Sequence, residues 1–198
     1  MTHSGTTSTS PKRFKTLATL ACVFACLFGS GSKAGGQGSY FGDWPKSTSP
    51  AEVGKAVSEH FVASPHQYTA TIHYSEVATW YGALTFSRQT HDDALRTRLI
   101  QKFTPLRPGG AEASRIPPRL HVDDEIFGVI PLEIGLQTKD ASYVNEGKFY
   151  ADRQWNKPQA DGLSGETRYW IDDMYMLTIL QLEAVSYTHL TLPTIYSV

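Results

Sequence analysis

Between residues 50 and 184 the apolar positions recur at helical spacing, and alternating strand-like runs are absent. Pro50-Ala51-Glu52-Val53 opens a first helix, because proline and an acid suit a helix start. Val53, Ala56, Val57, His60 and Phe61 mark its expected inward face, and Pro65 lies beyond its end. His73 to Phe86 reads as a second helix, rich in aromatic residues. Asp92 to Phe103 reads as a third, with Ala94, Leu95, Leu99 and Phe103 inward and Arg96, Arg98, Gln101 and Lys102 on a solvated face. A proline- and glycine-bearing loop, Arg107 to Pro118, precedes a largely apolar fourth helix over 125–138. A fifth follows over 142–155, with Tyr143, Phe149, Tyr150 and Trp155 as packing residues. After a polar loop, 157–166, a sixth and mostly apolar helix runs over 174–183.

Apolar helices (the fourth and sixth) thus alternate with amphipathic ones (the third and fifth). That alternation predicts an all-α fold of two layers, an inner one buried and an outer one half wet.

The two ends read differently from this body. Lys12, Arg13 and Lys15 precede an apolar run, Leu17 to Phe28, that is shorter than the ~20 residues needed to span a membrane. Residues 1–34 are therefore expected to be an export signal cut after Ala34, with lipidation at Cys26 as the rival route. The mature protein would be periplasmic or secreted, without a stable membrane span, and 35–49 would be a flexible lead-in. Both cysteines, Cys22 and Cys26, would leave with the signal, so neither disulfides nor thiolate chemistry are expected. At the other end, Val185 to Thr194 reads as the translation of a transposase-type sequencing adapter. Residues 185–198 are accordingly expected to be a non-native tail, and 50–184 the native domain.

Charge and spacing exclude some functions. The net charge of -1 offers no basic surface for nucleic acid. The histidines are scattered and lack zinc-ligand spacing, so a zinc site has little support.

Two acidic pairs carry the chemistry. His121-Val122-Asp123-Asp124 and Trp170-Ile171-Asp172-Asp173 each stand at the mouth of an apolar helix. An aspartate there is an ordinary helix cap. Two pairs on parallel helices would nevertheless bring carboxylates to one end. There, helix N-termini favour the ionised form and apolar walls oppose it, which makes an acid and a base of like groups. Arg168, Tyr169 and Trp170 beside them suit a sugar bearing its own carboxylate.

The stretch from Ile72 to Glu183 resembles the N-terminal half of glycoside hydrolase family 105, in the clan shared with family 88. The resemblance rests on His73 to Gly82, His121 to Gly128, Ala151 to Trp155, and Arg168-Tyr-Trp170-Ile-Asp172-Asp173-Met-Tyr-Met176. It implies part of an (α/α)6 barrel, about half of its helices, and hydrolysis of unsaturated uronic-acid oligosaccharides such as rhamnogalacturonan or pectin lyase products. An aspartate protonates C4 of the C4=C5 double bond, water adds at C5, and the hemiketal collapses to release the sugar. The family motif assigns the general acid to Asp172 and the second catalytic carboxylate to Asp123, with Asp124 as the alternative. The resemblance sets Tyr74 beside the uronate and implies that no metal or organic cofactor is needed; His73, Asp124, Arg168 and Trp170 are the further expected substrate-binding residues. Asp173 departs from the family, where many members carry glycine. A chain holding half a ring is expected to be inactive by itself. Another (α/α)6 glycosidase or lyase, or a helical-repeat binding module, remains open as an alternative.

Overall fold

The computed structural model describes residues 42–187, and Lys46 onward forms one helical body. The expected export signal, residues 35–41 of the lead-in and tail residues 188–198 lie outside the described part. Among the described residues every regular element is helical: α1 Pro50–Ala63, α2 Tyr74–Gln89, α3 Asp93–Phe103, α4 Val122–Glu125, α5 Val129–Thr138, α6 Ala141–Arg153 and α7 Ile171–Tyr187. None of them is long and apolar enough to cross a membrane.

Cross-helix contacts set the directions. Gly54 meets Phe86 and Phe61 meets Trp80, so α1 and α2 are antiparallel. Arg98 bonds Glu59 at 2.6 Å and Lys102 bonds the Ser64 carbonyl at 2.6 Å, which aligns α3 with α1. Trp80 on α2 and Phe127 just before α5 both pack on Phe103, and further along Leu84 and Arg88 reach Gln137 and Glu133, so α2 and α5 run the same way. Gly147 sits against Gly128 and Leu132, Val144 against Gly135, and Arg153 against Glu125, so α6 opposes α4 and α5. Asp123 near Arg168, Gly128 near Leu180, and Tyr81 bonded to Glu183 set α7 parallel to α2 and α5. Hence α2, α4–α5 and α7 point one way and α1, α3 and α6 the other. The N-termini of the first set share one end.

The core follows the expected alternation in α5, where every residue from Val129 to Gly135 is buried, and in α3, where Leu95, Leu99 and Phe103 have no exposed surface. Phe103 is the hub: its ring packs on Trp80, Phe127 and Tyr143. Burying side chains of this size stabilises the fold by about 1.5–3 kcal/mol each.

Several expectations are corrected. The fourth helix starts at Val122 and is broken by a 3-10 turn over Ile126–Gly128. Pro131 explains the break: it has no N–H for the Phe127 carbonyl, and its ring crowds that carbonyl. The inward face of α1 is not Val53, Ala56 and Val57, which are exposed, but Gly54 and Ser58. A Cβ at Gly54 would lie 2.5 Å from the Phe86 ring, so the missing side chain is what lets the two helices approach. Ala94 is exposed, and Phe149 and Trp155 are about half exposed. Arg98 and Lys102 bind α1 instead of lying free on a solvated face.

The α7 helix starts at Ile171, so both of its aspartates lie in the first turn. Met176 and Leu180 are buried, while Met174 and Leu182 are exposed at 68% and 57% and leave one apolar side open. The helix also runs through Tyr187, three residues past the expected boundary at 184, with Ser186 bonding the Leu182 carbonyl.

Candidate functional site

His121 caps α4 through its ring Nδ1, which accepts from the Asp123 N–H. His73 caps α2 in the same way, accepting from Ser75. The first turn of α4 therefore carries Asp123 and Asp124 and the first turn of α7 carries Asp172 and Asp173, all at the shared end.

Arg168 joins them. Its Nη2 lies 3.1 Å from Asp123 Oδ1, 3.8 Å from Asp172 Oδ2 and 2.5 Å from Asp173 Oδ1. Distances of 3.1 and 3.8 Å to one nitrogen put the Asp123 and Asp172 oxygens no further apart than their sum, 6.9 Å. That span suits two groups acting on one sugar ring. Nη1 approaches His121 Nε2 at 3.5 Å, and the guanidinium lies 4.8 Å from the centre of the Trp170 ring.

Asp173 holds this arrangement in place. Its carboxylate accepts from Arg168 Nε at 2.9 Å and from the Arg168 backbone N–H at 2.6 Å, besides Nη2. Burial works to raise the Asp173 carboxyl, but the hydrogen bonds from Arg168 outweigh it and keep the group below the ordinary carboxylate range. Asp173 in turn raises Arg168 further. Tyr169, at φ 61°, makes the left-handed turn from Arg168 to Trp170, and its hydroxyl is anchored on Asp161 at 2.7 Å. That conformation costs a non-glycine residue roughly 1–3 kcal/mol. It persists because both sides of the turn are tied down.

Asp123, Asp172, Arg168 and Trp170 are thus brought together, and Asp172 and Trp170 keep open surface, 43% for the Asp172 side chain. Asp124 is not part of the group. It is buried and paired with Arg119 from the preceding loop, which leaves Asp123 as the open member of its pair. His73 and Tyr74 lie at the same end, but their ring contacts are with each other and with Tyr68. Among the described residues no hydrogen bond, ion pair or ring contact ties them to Arg168, Asp123 or Asp172.

Sequence reasoning missed a second layer behind the mouth. Glu125, with only 1% of its side chain exposed, pairs with Arg153 at 2.6 Å. Burial pushes Glu125 up to about 8, against the Arg153 charge. Glu166, two residues before Arg168, is pushed up to about 7, again chiefly by burial, and both of its oxygens lack hydrogen-bond partners. Its only sequence signal was an acid in a polar loop, which ordinarily means solvent. A third cluster, His66 between Glu76 at 2.6 Å and Glu112 at 3.2 Å, ties the 64–72 loop to the Pro/Gly loop.

No group of three or more His, Cys, Asp or Glu side chains among the described residues is arranged to hold a metal ion. Chemically, the mouth offers two carboxylates, one open and one half-screened, a clamped guanidinium and an exposed indole face. Proton transfer next to an anionic or sugar-like group is what such a set can do. The chain matches no protein-family model, no curated protein and no solved structure.

Proposed function

We propose that this chain carries the acid end of an exported hydrolase for unsaturated uronic-acid oligosaccharides, the products of pectin or rhamnogalacturonan lyases. The observation that supports it most is the meeting of Asp123 and Asp172, from two parallel helices, on the single guanidinium of Arg168. In this reading Asp172, the more open carboxyl, gives its proton to C4, and Asp123 guides the water that adds at C5. Trp170 covers the apolar face of the ring. Arg168 neutralises charge gathered at the mouth, including that of the substrate carboxylate. His73 and Tyr74 would border the ring from the neighbouring helix.

The apolar sides of α1 (Val53, Val57) and α7 (Met174, Leu182) are exposed. They support the further reading that additional helices complete an (α/α)6 ring, and that turnover belongs to the completed enzyme.

The test begins with the genomic locus, read beyond the codon for Ala184, and with expression of whatever native product it encodes. That product should bleach the ultraviolet absorbance of an unsaturated galacturonyl-rhamnose disaccharide and leave the saturated analogue intact. Asp172→Asn should lower its turnover by on the order of 10²-fold or more with little loss of binding. Equal action on the saturated analogue would point to an ordinary glycosidase, and no action on either would end the proposal.

A further inference from the structure

His66 stands between two loops, and each loop leads into the shared mouth. The 64–72 loop runs into His73 and Tyr74 at the start of α2. The Pro/Gly loop, 107–118, runs into Arg119 and His121 just before α4. The imidazole has only 11% of its side chain exposed, and both of its nitrogens face carboxylates. Nδ1 lies 2.6 Å from Glu76 Oε1 on α2, and Nε2 lies 3.2 Å from Glu112 Oε2 in the Pro/Gly loop.

Proton count decides what this geometry can hold. An ionised carboxylate only accepts hydrogen bonds. An imidazolium has two N–H donors, whereas a neutral imidazole has one donor and one bare nitrogen. The protonated ring therefore satisfies both contacts. The neutral ring satisfies one and turns a lone pair toward the other carboxylate. The two partners are unequal. Glu76 is buried, its Oε2 accepts from the Gln67 N–H at 3.0 Å, and it makes the shorter contact with the ring. Glu112 keeps 33% of its side chain exposed and can turn to water. The neutral ring thus stays with Glu76 and lets Glu112 go.

Charged and titratable groups reach this spot from every side. Lys102 on α3 bonds the Ser64 carbonyl at 2.6 Å, and the Glu76 and Glu112 charges support its own charge against burial. His60 on α1 lines the same groove as Glu76 and Gln67. Arg115 meets Glu112 Oε1 at 3.4 Å with Nη2, while its Nη1 donates to the Tyr68 and Thr69 carbonyls. Through Arg115, release of Glu112 reaches the backbone of the 64–72 loop.

We infer that His66 is a pH-sensitive latch between the two loops, closed while both ring nitrogens carry protons and released from Glu112 when Nε2 loses its proton. Histidine is the side chain whose charge ordinarily changes between about pH 5 and 8. The latch holds on the acid side and opens as pH rises, loosening the two approaches to the α2 and α4 N-termini.

Hydrogen exchange of the purified 198-residue chain, followed by mass spectrometry and expressed as protection factors, reads the seam directly. The Ile72 N–H crosses it to the Arg115 carbonyl at 3.0 Å, and the Glu112 N–H bonds the Pro105 carbonyl at 2.8 Å. From about pH 5.5 to about pH 8.5, protection over 66–72 and 107–115 should fall roughly tenfold, the low end for losing a hydrogen bond between charged groups. Glu125 and Glu166 titrate alike in all the proteins compared, since neither His66 nor its partners contribute to their shifts. Glu112→Gln should abolish the fall: an amide offers an oxygen to an N–H and an NH2 to a bare nitrogen, so it meets either form of the ring. His66→Ala should show the open-state protection at both pH values. Where His66→Ala fails to fold, Glu112→Gln carries the test from its partly exposed position. Equal protection of the native seam at the two pH values would overturn the inference. So would a Glu112→Gln chain that loses protection in step with the native one.

Discussion

Glu166 lies in the loop that carries Arg168, with both carboxylate oxygens buried and without partners. Replacing it with glutamine keeps the shape and removes the charge. Burial lifts the carboxyl from 4.5 to about 7, with Arg153 opposing and Asp124 adding to the rise. Glu125, on the same side of α4, shares Arg153 and responds to Glu166. At about 1.4 kcal/mol for each tenfold, that gap corresponds to about 3 kcal/mol. Solvent around this half-buried loop reduces it to roughly 1–2 kcal/mol.

The sign follows from proton uptake. Between pH 4.5 and about 7 the folded chain holds a proton that the unfolded chain has lost, so stability falls as pH rises through that window and stays low above it. Glu166→Gln should therefore match the native chain near pH 5 and exceed it by roughly 1–2 kcal/mol near pH 8. Urea denaturation followed by circular dichroism at both values measures the difference. Glu125, pushed up to about 8 in part by the Glu166 charge, is relieved in the variant, which adds to the predicted gain at high pH. If native chain and variant lose stability in parallel between the two pH values, the Glu166 carboxyl is solvated and the reasoning is refuted.

Asp173→Asn should release Arg168, costing roughly 1–3 kcal/mol in denaturant titration, with a change in Trp170 emission as the guanidinium leaves the indole face. Gly147→Ala would place a Cβ 2.4 Å from Leu132 and 2.7 Å from the Gly128 carbonyl, so a loss of about 1–3 kcal/mol is expected from the same titration.

Much of the helical order was legible because it depends on near neighbours. Leu95, Leu99 and Phe103 lie one turn apart and end buried, and the apolar run through α5 has no solvated side. The acidic pairs were legible for the same reason: an aspartate before an apolar run marks a helix mouth. What escaped depends on residues distant in sequence. The buried face of α1 follows from the Phe86 ring on another helix, which selects Gly54 over the larger Val53 and Val57. Asp123 and Asp124 are alike in sequence, and the choice between them falls to Arg119 in a loop, which takes Asp124 inward. Asp173 acquires its meaning from the Arg168 turn, and that turn rests on a left-handed Tyr169 that no local signal favours. The Tyr81–Glu183 contact spans 102 residues, beyond any reading of periodicity.

The common direction of α2, α4–α5 and α7 gives the body two unlike poles. Free N–H groups at one pole attract carboxylates, and the aspartates of both pairs stand there, Asp123 and Asp172 at the surface and Asp124 and Asp173 within. Four acids on two first turns would repel, and the chain meets this with Arg119 and Arg168, each spent on the buried member of a pair. The outer members, Asp123 and Asp172, meet the same Nη2 at the longer distances of 3.1 and 3.8 Å, with His121 Nδ1 3.6 Å from Asp123, and keep open surface. At the other pole the carbonyl ends repel the buried Glu133 and Glu183; Arg88 bonds the first and Tyr81 the second. Asymmetric neutralisation leaves two acids facing solvent at the first pole, where the proposed sugar would sit.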